Sequence, residues 1–118
     1  MDIHYAECMY HRDALELGFK GNTISFEHRA FEDRTPDAQR AYRELEVDLL
    51  ANGMLNPLIV YDGHVIIGMR RFEILRHCTE IFPCLLVVDD VSNWHLEEVR
   101  ELKALVKRLY GPATEHIG

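Results

Sequence analysis

The chain has 118 residues and a formal net charge of −7, with 13 basic and 20 acidic residues and a hydrophobic fraction of 47%. This length suits one domain with its own core, and the composition is that of an ordinary soluble globular protein. The acidic balance argues against a broad DNA-binding surface, although a local basic patch could still bind a small anion. No apolar run approaches the roughly 20 residues of a membrane span and no signal-peptide pattern is present, so a cytoplasmic location without membrane contact is expected.

The N-terminal segment, residues 3–17, is predicted as a helix that ends at Gly18. His4, Cys8 and His11 would share one face of that helix, and all three are zinc-ligand types. The outer two would lie about 10 Å apart at 1.5 Å of rise per residue, so one ion could not easily reach both. A polar face that packs on the rest of the protein is therefore favoured over a metal site.

An edge strand is predicted over residues 23–28, where apolar and polar side chains alternate. Segment 29–34 follows as a charged loop whose side chains are predicted to lie in solvent. The alternative is that these charges face a ligand, with the acids of the region supplying a base or a magnesium ligand. The residues concerned are Glu27, Arg29, Glu32, Asp33 and Arg34.

A long helix is predicted next, from the capping hydroxyl of Thr35 to Asn52, because a proline follows the cap and apolar residues recur at helical spacing. Gly53 suits the left-handed position that ends a helix.

A β-hairpin is predicted in the centre of the chain. Residues 58–61 and 64–67 are rich in β-branched and aromatic side chains, and they flank Asp62-Gly63, a strong two-residue turn signal.

Gly68 follows this hairpin and begins a helix that is predicted to run to about His77. Helix N-termini leave backbone N–H groups free, and glycine lets an anion approach them closely. Arg70 and Arg71 add guanidinium groups, whose planar donors match phosphate oxygens. The pattern predicts a phosphate cradle formed by Gly68, Arg70 and Arg71, and the alternative is a solvated helix start whose arginines pair with nearby acids.

The C-terminal part is predicted as a buried strand over residues 81–88 and an amphipathic helix over about 94–109, capped by Ser92-Asn93. An exposed apolar stripe on this helix would support a homodimer. Residues 113–118 are predicted to fray. The cysteines are predicted to be reduced thiols, since their number is odd and no CxxC spacing occurs. They are Cys8, Cys78 and Cys84.

The order of these motifs resembles the ParB/sulfiredoxin superfamily. The matching elements are Asn52-Gly53-Met54-Leu55-Asn56-Pro57-Leu58-Ile59-Val60, then Gly68-Met69-Arg70-Arg71, then Phe82-Pro83-Cys84-Leu85-Leu86-Val87-Val88. The resemblance covers about residues 22–91 and implies an α+β fold in which three to four helices pack on a small mixed β-sheet. Residues 1–118 would form a single ParB-like domain, with residues 1–21 as an N-terminal helical extension and 92–110 as a C-terminal helix.

The resemblance also implies nucleotide binding. Partition ParB proteins bind CTP with magnesium and sulfiredoxin binds ATP, so the expected cofactor is a nucleoside triphosphate, ATP or CTP, with Mg²⁺ as a further candidate. By analogy, Gly68, Arg70 and Arg71 would hold the phosphates, and Asn56 and Pro57 would form the wall near the base or ribose.

Two departures from the superfamily pattern limit the chemistry. Sulfiredoxin places a nucleophilic cysteine directly after the box glycine, and Met69 stands there in this chain, so sulfiredoxin activity is excluded. Partition proteins often carry a basic residue where this chain has Glu73.

Functions from different classes stay open. One is a nucleotide-binding domain with phosphoryl transfer or NTP hydrolysis, and another is a non-enzymatic module that keeps the fold and binds a protein partner. A DNA-associated nuclease is the third, and the acidic balance counts against it.

Overall fold

Helices cover both faces of a five-stranded mixed sheet in this computed structural model, which describes residues 2–111. The strands are β1 (Tyr5–His11), β2 (Glu16–Leu17), β3 (Phe19–Lys20), β4 (Ser25–Phe26), β5 (Leu58–Tyr61), β6 (His64–Ile67) and β7 (Ile81–Val87). The helices are α1 (Pro36–Asn52), α2 (Met69–Leu75) and α3 (Leu96–Tyr110). The α+β class is confirmed, with three α-helices among the described residues.

The strand order of the main sheet is β1-β7-β5-β6-β2, and β3 and β4 form a separate two-stranded sheet. The central β5 pairs in parallel with β7 and antiparallel with β6, whereas β1 pairs antiparallel with β7 at one edge. The predicted hairpin is therefore confirmed at the centre of the sheet. Its turn has positive φ at both central residues, +48° at Asp62 and +76° at Gly63, which are the signs that a type I′ turn requires.

Alternate side chains of the central strands enter two separate cores. On one face, Leu58 and Val60 pack with Leu49 of α1 and Phe72 of α2. On the other face, residues such as Ile59, Leu85 and Val87 pack with Val99 and Leu102 of α3. The apolar stripe of α3 is thus largely used inside the domain, which removes the predicted reason for a dimer through this helix.

The prediction of a helix over residues 3–17 is wrong, because this segment forms β1, a 3-10 turn over Arg12–Ala14, and β2. Cys8 and Tyr10 of β1 lie against the core, and the backbone of the strand pairs with β7 about 70 or more positions away. The local sequence pattern cannot predict pairing with such a distant strand. Tyr5–His11 and Glu16–Leu17 are therefore strands of the main sheet, and the described residues of this segment do not form a helical extension. His4, Cys8 and His11 also do not share a helical face, and no group of three metal-ligand side chains is found among residues 2–111.

Other boundaries differ from the predictions by smaller amounts. Of the edge strand predicted over 23–28, only Ser25–Phe26 is strand, and α2 ends at Leu75, two residues before the predicted end at His77. The last helix begins at Leu96 and not after Ser92-Asn93, since those two residues lie in a 3-10 turn closed by Asp90.

The predicted fraying of residues 113–118 lies outside the described residues. Within the described part of the chain, no helix is both long and apolar enough to span a bilayer.

We predict that an ion pair at the end of β1 makes stability depend on pH near neutrality. His4 Nδ1 lies 2.9 Å from Asp89 Oδ1, and this hydrogen bond and charge raise the pKa of His4 above its ordinary 6.5. A raised histidine pKa gives stabilisation that is present below pH 6.5 and lost as the pH rises through the new value. Nuclear magnetic resonance titration should place the His4 pKa above 6.5 in the wild type and closer to 6.5 in Asp89→Asn. An unchanged His4 pKa in Asp89→Asn, with Asp37→Asn as the control, would contradict this prediction.

Candidate anion-binding site

A cavity of about 530 Å³ opens where the β4 region, the β6–α2 junction and α3 meet. This volume lies within the range of small-molecule sites, roughly 300–1,000 Å³. The described residues that line it are Ile24, Ser25, Phe26, Glu27, His28, Arg29, Arg34, Ile66, Ile67, Gly68, Met69, Arg70, Leu96, Val99 and Lys103. Four of these are arginine or lysine and one is acidic, so the cavity is locally basic in a chain of net charge −7.

Gly68 adopts a left-handed conformation, with φ of +94°, at the junction of β6 and α2. A Cβ at this position would lie 2.6 Å from Nη2 of Arg71 and 2.9 Å from Cδ2 of Leu58. The glycine is therefore needed for its backbone angle and for the close approach of the Arg71 side chain beneath it.

Arg71 is one of the most buried charged side chains of the described residues, with only 2% of the residue exposed. Its Nη1 donates a hydrogen bond to the carbonyl oxygen of Asn56 at 2.8 Å. Burial lowers the pKa of Arg71 to about 10. Arg71 thus joins the start of α2 to the segment that enters β5, and it faces the interior and not the cavity.

The residues predicted to bind the nucleotide separate into two groups. Gly68 and Arg70 line the cavity, whereas Asn56, Pro57 and Arg71 are not among its described lining residues. Asn56 is buried and supplies its backbone carbonyl to Arg71. The helix behind the glycine is also short, at seven residues, so side chains must supply most of the positive charge for an anion.

Arg70 and Arg34 bring two guanidinium groups to the same cavity. Burial lowers the pKa of Arg70, and the nearby positive charge of Arg34 lowers it further. The positive charges of Arg34 and Arg70 therefore repel each other at a partly buried site, and an anion between them would relieve that repulsion.

Arg34 is not the solvated loop residue that the sequence predicts, because its side chain is only 9% exposed. Its Nη2 donates to Glu73 Oε1 at 3.1 Å and to the carbonyl of Arg29 at 2.6 Å, and the guanidinium carbon lies 4.9 Å from the centre of the Tyr42 ring. Its buried Nη1 has no hydrogen-bond partner among the described residues. An unmatched buried donor of a positively charged group, beside an open cavity, is a feature that an anionic ligand would satisfy.

Glu73 holds the wall of the cavity in place from α2. One carboxylate oxygen lies 2.6 Å from His28 Nε2 and the other accepts from Arg34. Burial tends to raise the pKa of Glu73, but the hydrogen bonds and charges of His28 and Arg34 outweigh it and the pKa is lowered. Glu73 therefore stays ionised and fixes two residues of the segment before α1 against the start of α2.

The sequence left a ligand-facing Arg34 open as an alternative, but it did not indicate the part that Glu73 and Lys103 take in this arrangement. The spacing of Leu96, Val99 and Lys103 is a signal in retrospect, since steps of three and four residues place Lys103 on the face of α3 that carries the apolar stripe. Local sequence patterns could not show which loop packs against that face of α3.

Comparison with known proteins identifies the fold but no closer relationship. No protein-family model matches the chain, and no curated protein matches it in sequence. Among solved structures, one described as the C2221 form of a Pnob8-like ParB-N domain is similar over 92% of this chain, with a TM-score of 0.56 and 17% sequence identity. The chain spans 38% of the length of that protein. The chain therefore has a ParB-like fold, as its motif order predicted.

We predict that Gly68→Ala destabilises the protein more than Gly63→Ala does. Both glycines have positive φ, so each substitution has a backbone cost of about 1–2 kcal/mol. At position 63 the new Cβ would meet only the carbonyl oxygen of Ala14 at 3.4 Å, whereas at position 68 it would overlap Arg71 and Leu58. Urea unfolding should show the larger loss for Gly68→Ala, and equal losses would show that the packing of Arg71 under Gly68 contributes nothing.

We further predict that Glu73→Gln lowers the free energy of unfolding by about 1–3 kcal/mol at pH 7, because it weakens hydrogen bonds to a buried arginine. The matched control is Glu46→Gln on α1, whose exposed pair with Arg43 should contribute about 0–1 kcal/mol. The pKa of Glu73 is lowered from 4.5, so its contribution is present above that pH and is lost as the pH falls through the lowered value. The difference between wild type and Glu73→Gln should therefore shrink in acid, and a constant difference would contradict the assignment.

Proposed function

We propose that this domain binds a nucleotide in the basic cavity, with the phosphate groups among Arg34, Arg70 and Lys103. The observation that carries the proposal is the buried Nη1 of Arg34, which has no hydrogen-bond partner within residues 2–111, in the same cavity as Arg70. Guanidinium groups bind phosphate oxygens through paired donors, and lysine binds them as a point charge. The cavity suits a phosphate group better than a single carboxylate, because several cationic side chains line it.

The apolar residues that line the same cavity suit the base of a nucleotide. Ile24, Phe26 and Ile67 line it, together with Leu96 and Val99 of α3. A cavity lined by both cationic and apolar side chains matches a ligand that has a polyanionic group and a flat ring. This arrangement agrees with the nucleotide binding that the motif resemblance implies.

The proposal is for binding and not for turnover. Of the described residues that line the cavity, Glu27 is the acidic one and would be the candidate to contribute to Mg²⁺ beside the phosphates. Arg71 takes no direct part, since it is buried behind Gly68 and its substitution would disturb the fold before it changed a ligand contact.

The test is calorimetric titration with ATP, CTP and GTP, with and without Mg²⁺, together with inorganic tripolyphosphate. We predict that at least one triphosphate binds and that Arg70→Ala and Lys103→Ala each weaken binding by about 10- to 150-fold, the loss of one charged hydrogen bond of about 1.5–3 kcal/mol. At a concentration one hundred times the dissociation constant, the nucleotide should raise the free energy of unfolding by about 2.7 kcal/mol.

The matched control is Arg40→Ala on α1, which removes an exposed arginine that pairs with Asp37 away from the cavity. It should leave the affinity unchanged. Tripolyphosphate binding alone would support the phosphate contacts and argue against a base-binding wall. If no triphosphate binds, or if Arg40→Ala weakens binding as much as Arg70→Ala, the cavity is not a nucleotide site.

A further inference from the structure

Strand β1 forms a long edge of the sheet, and no other strand of residues 2–111 pairs with its outer side. It lies at the end of the strand order, and β7 is its partner in the sheet. Five of its seven residues are exposed, and none of the seven is lysine or proline, the residues that commonly block the edge of a sheet. Met9, near the middle of the strand, is 63% exposed. Such an edge is a template on which another strand can pair.

The register with β7 shows which backbone groups of β1 point outward. Arg12 N donates to Glu80 O and Val88 N donates to His4 O, so residues 4 and 12 belong to hydrogen-bonded pairs. Hydrogen-bonded and non-hydrogen-bonded pairs alternate along an antiparallel ladder. Even-numbered residues of β1 therefore direct their N–H and C=O groups to β7. The odd-numbered residues direct theirs to the free edge, and these are Tyr5, Glu7, Met9 and His11.

We propose that β1 pairs antiparallel with β1 of a second copy of this chain, about a two-fold axis at Cys8. In this register Tyr5 faces His11 of the second copy and Glu7 faces Met9, and both are hydrogen-bonded pairs. All four outward residues then find partners, and the two five-stranded sheets join into one continuous sheet. This inference is independent of the nucleotide proposal, because none of these residues lines the basic cavity.

The sequence of β1 favours this register over its neighbours. An axis at Glu7 would place two carboxylates directly opposite each other, which is destabilising. An axis at Met9 would move Tyr5 beyond the partner strand, opposite Asp13 in the 3-10 turn. With the axis at Cys8, no two like charges face each other from Tyr5 to His11. This self-complementarity is the reason for proposing a second copy over an unrelated strand.

Apolar side chains beside the edge extend the surface that a second copy would cover. Met9 is opposite Pro83 of β7, and Ile81 is opposite His11 on the same face of the sheet. Met9, Pro83 and Ile81 are all exposed, so this end of the sheet is left uncovered by α3. A symmetric partner would bury part of this apolar group along with the backbone edge.

Charge-swap variants at the pair Glu7 and Met9 test the proposal by sedimentation equilibrium, from about 1 µM to about 1 mM protein. The wild type should show a concentration-dependent dimer of twice the 13.8 kDa chain mass. Met9→Glu creates two like-charge contacts per dimer and should weaken dimerisation by about 2- to 30-fold. Met9→Lys should keep or strengthen the dimer, and Glu7→Lys combined with Met9→Glu should restore it.

Val47→Glu is the matched control, since Val47 is 70% exposed on α1 and lies outside the proposed interface. A wild type that stays monomeric to about 1 mM would overturn the proposal. So would a dimer that Met9→Glu and Val47→Glu weaken equally, or one that Met9→Lys weakens as much as Met9→Glu. Circular dichroism of each variant checks that the fold is retained. We expect it to be retained, because the substituted side chains are exposed.

Oxidative cross-linking tests the position of the axis. In the proposed register Cys8 forms a non-hydrogen-bonded pair with Cys8 of the second copy, with Cα atoms about 4.5 Å apart, which a disulfide can span. Diamide, which takes up the two electrons and two protons released by two thiols, should link Cys78→Ser chains into a covalent dimer. Added Cys8→Ser should abolish this link. A non-covalent dimer without the link, or an internal Cys8–Cys84 disulfide in a monomer, would overturn the register.

Discussion

The burial of Arg71 beneath Gly68 is the constraint on which the β5–β6–α2 unit depends. A buried guanidinium is unfavourable unless hydrogen bonds replace the water it loses, and the carbonyl of Asn56 supplies one such bond. The side chain can reach that carbonyl only because residue 68 has no Cβ. The direction in which α2 leaves the sheet is therefore tied to the segment that enters β5. That direction places Arg70 at the cavity and Glu73 one turn further along.

Glu73 then connects this rigid unit to a part of the chain that has little regular structure. Residues 28 and 34 lie in the connection between β4 and α1, and each is bound to one oxygen of the same carboxylate. A loop of this kind would ordinarily move as a surface segment. Here its two bonds to α2 hold Arg34 in the cavity wall, where its charge acts on Arg70. A locally basic cavity can thus persist in an acidic chain, because nearby charges dominate over distant ones.

The sequence predicted correctly the elements whose signals are local. The prediction was wrong where pairing with a strand far away in the sequence determines the secondary structure. The Asp62-Gly63 turn, the cap at Thr35 and the apolar run of β7 are each encoded within a few residues, and all three form as predicted. Segment 3–17 was misassigned because β7 determines its structure. In the site, Arg70 lines a cavity, and its role as a phosphate ligand stays a prediction. The burial of Arg71 could not be foreseen, because adjacent helical residues point in different directions and only the packing of the sheet decides which one faces inward.

The carboxylate at position 73 decides how the two arginines of the cavity are arranged. A basic side chain at position 73 would repel Arg34 and Arg70. The carboxylate of Glu73 instead holds the side chains of Arg34 and His28 in place. Its single negative charge can balance only one of the two positive charges of Arg34 and Arg70. Nη1 of Arg34, which has no hydrogen-bond partner in the described part of the chain, is left over by this arrangement. Binding at the cavity would then depend on residue 73, because Glu73 sets the position of Arg34.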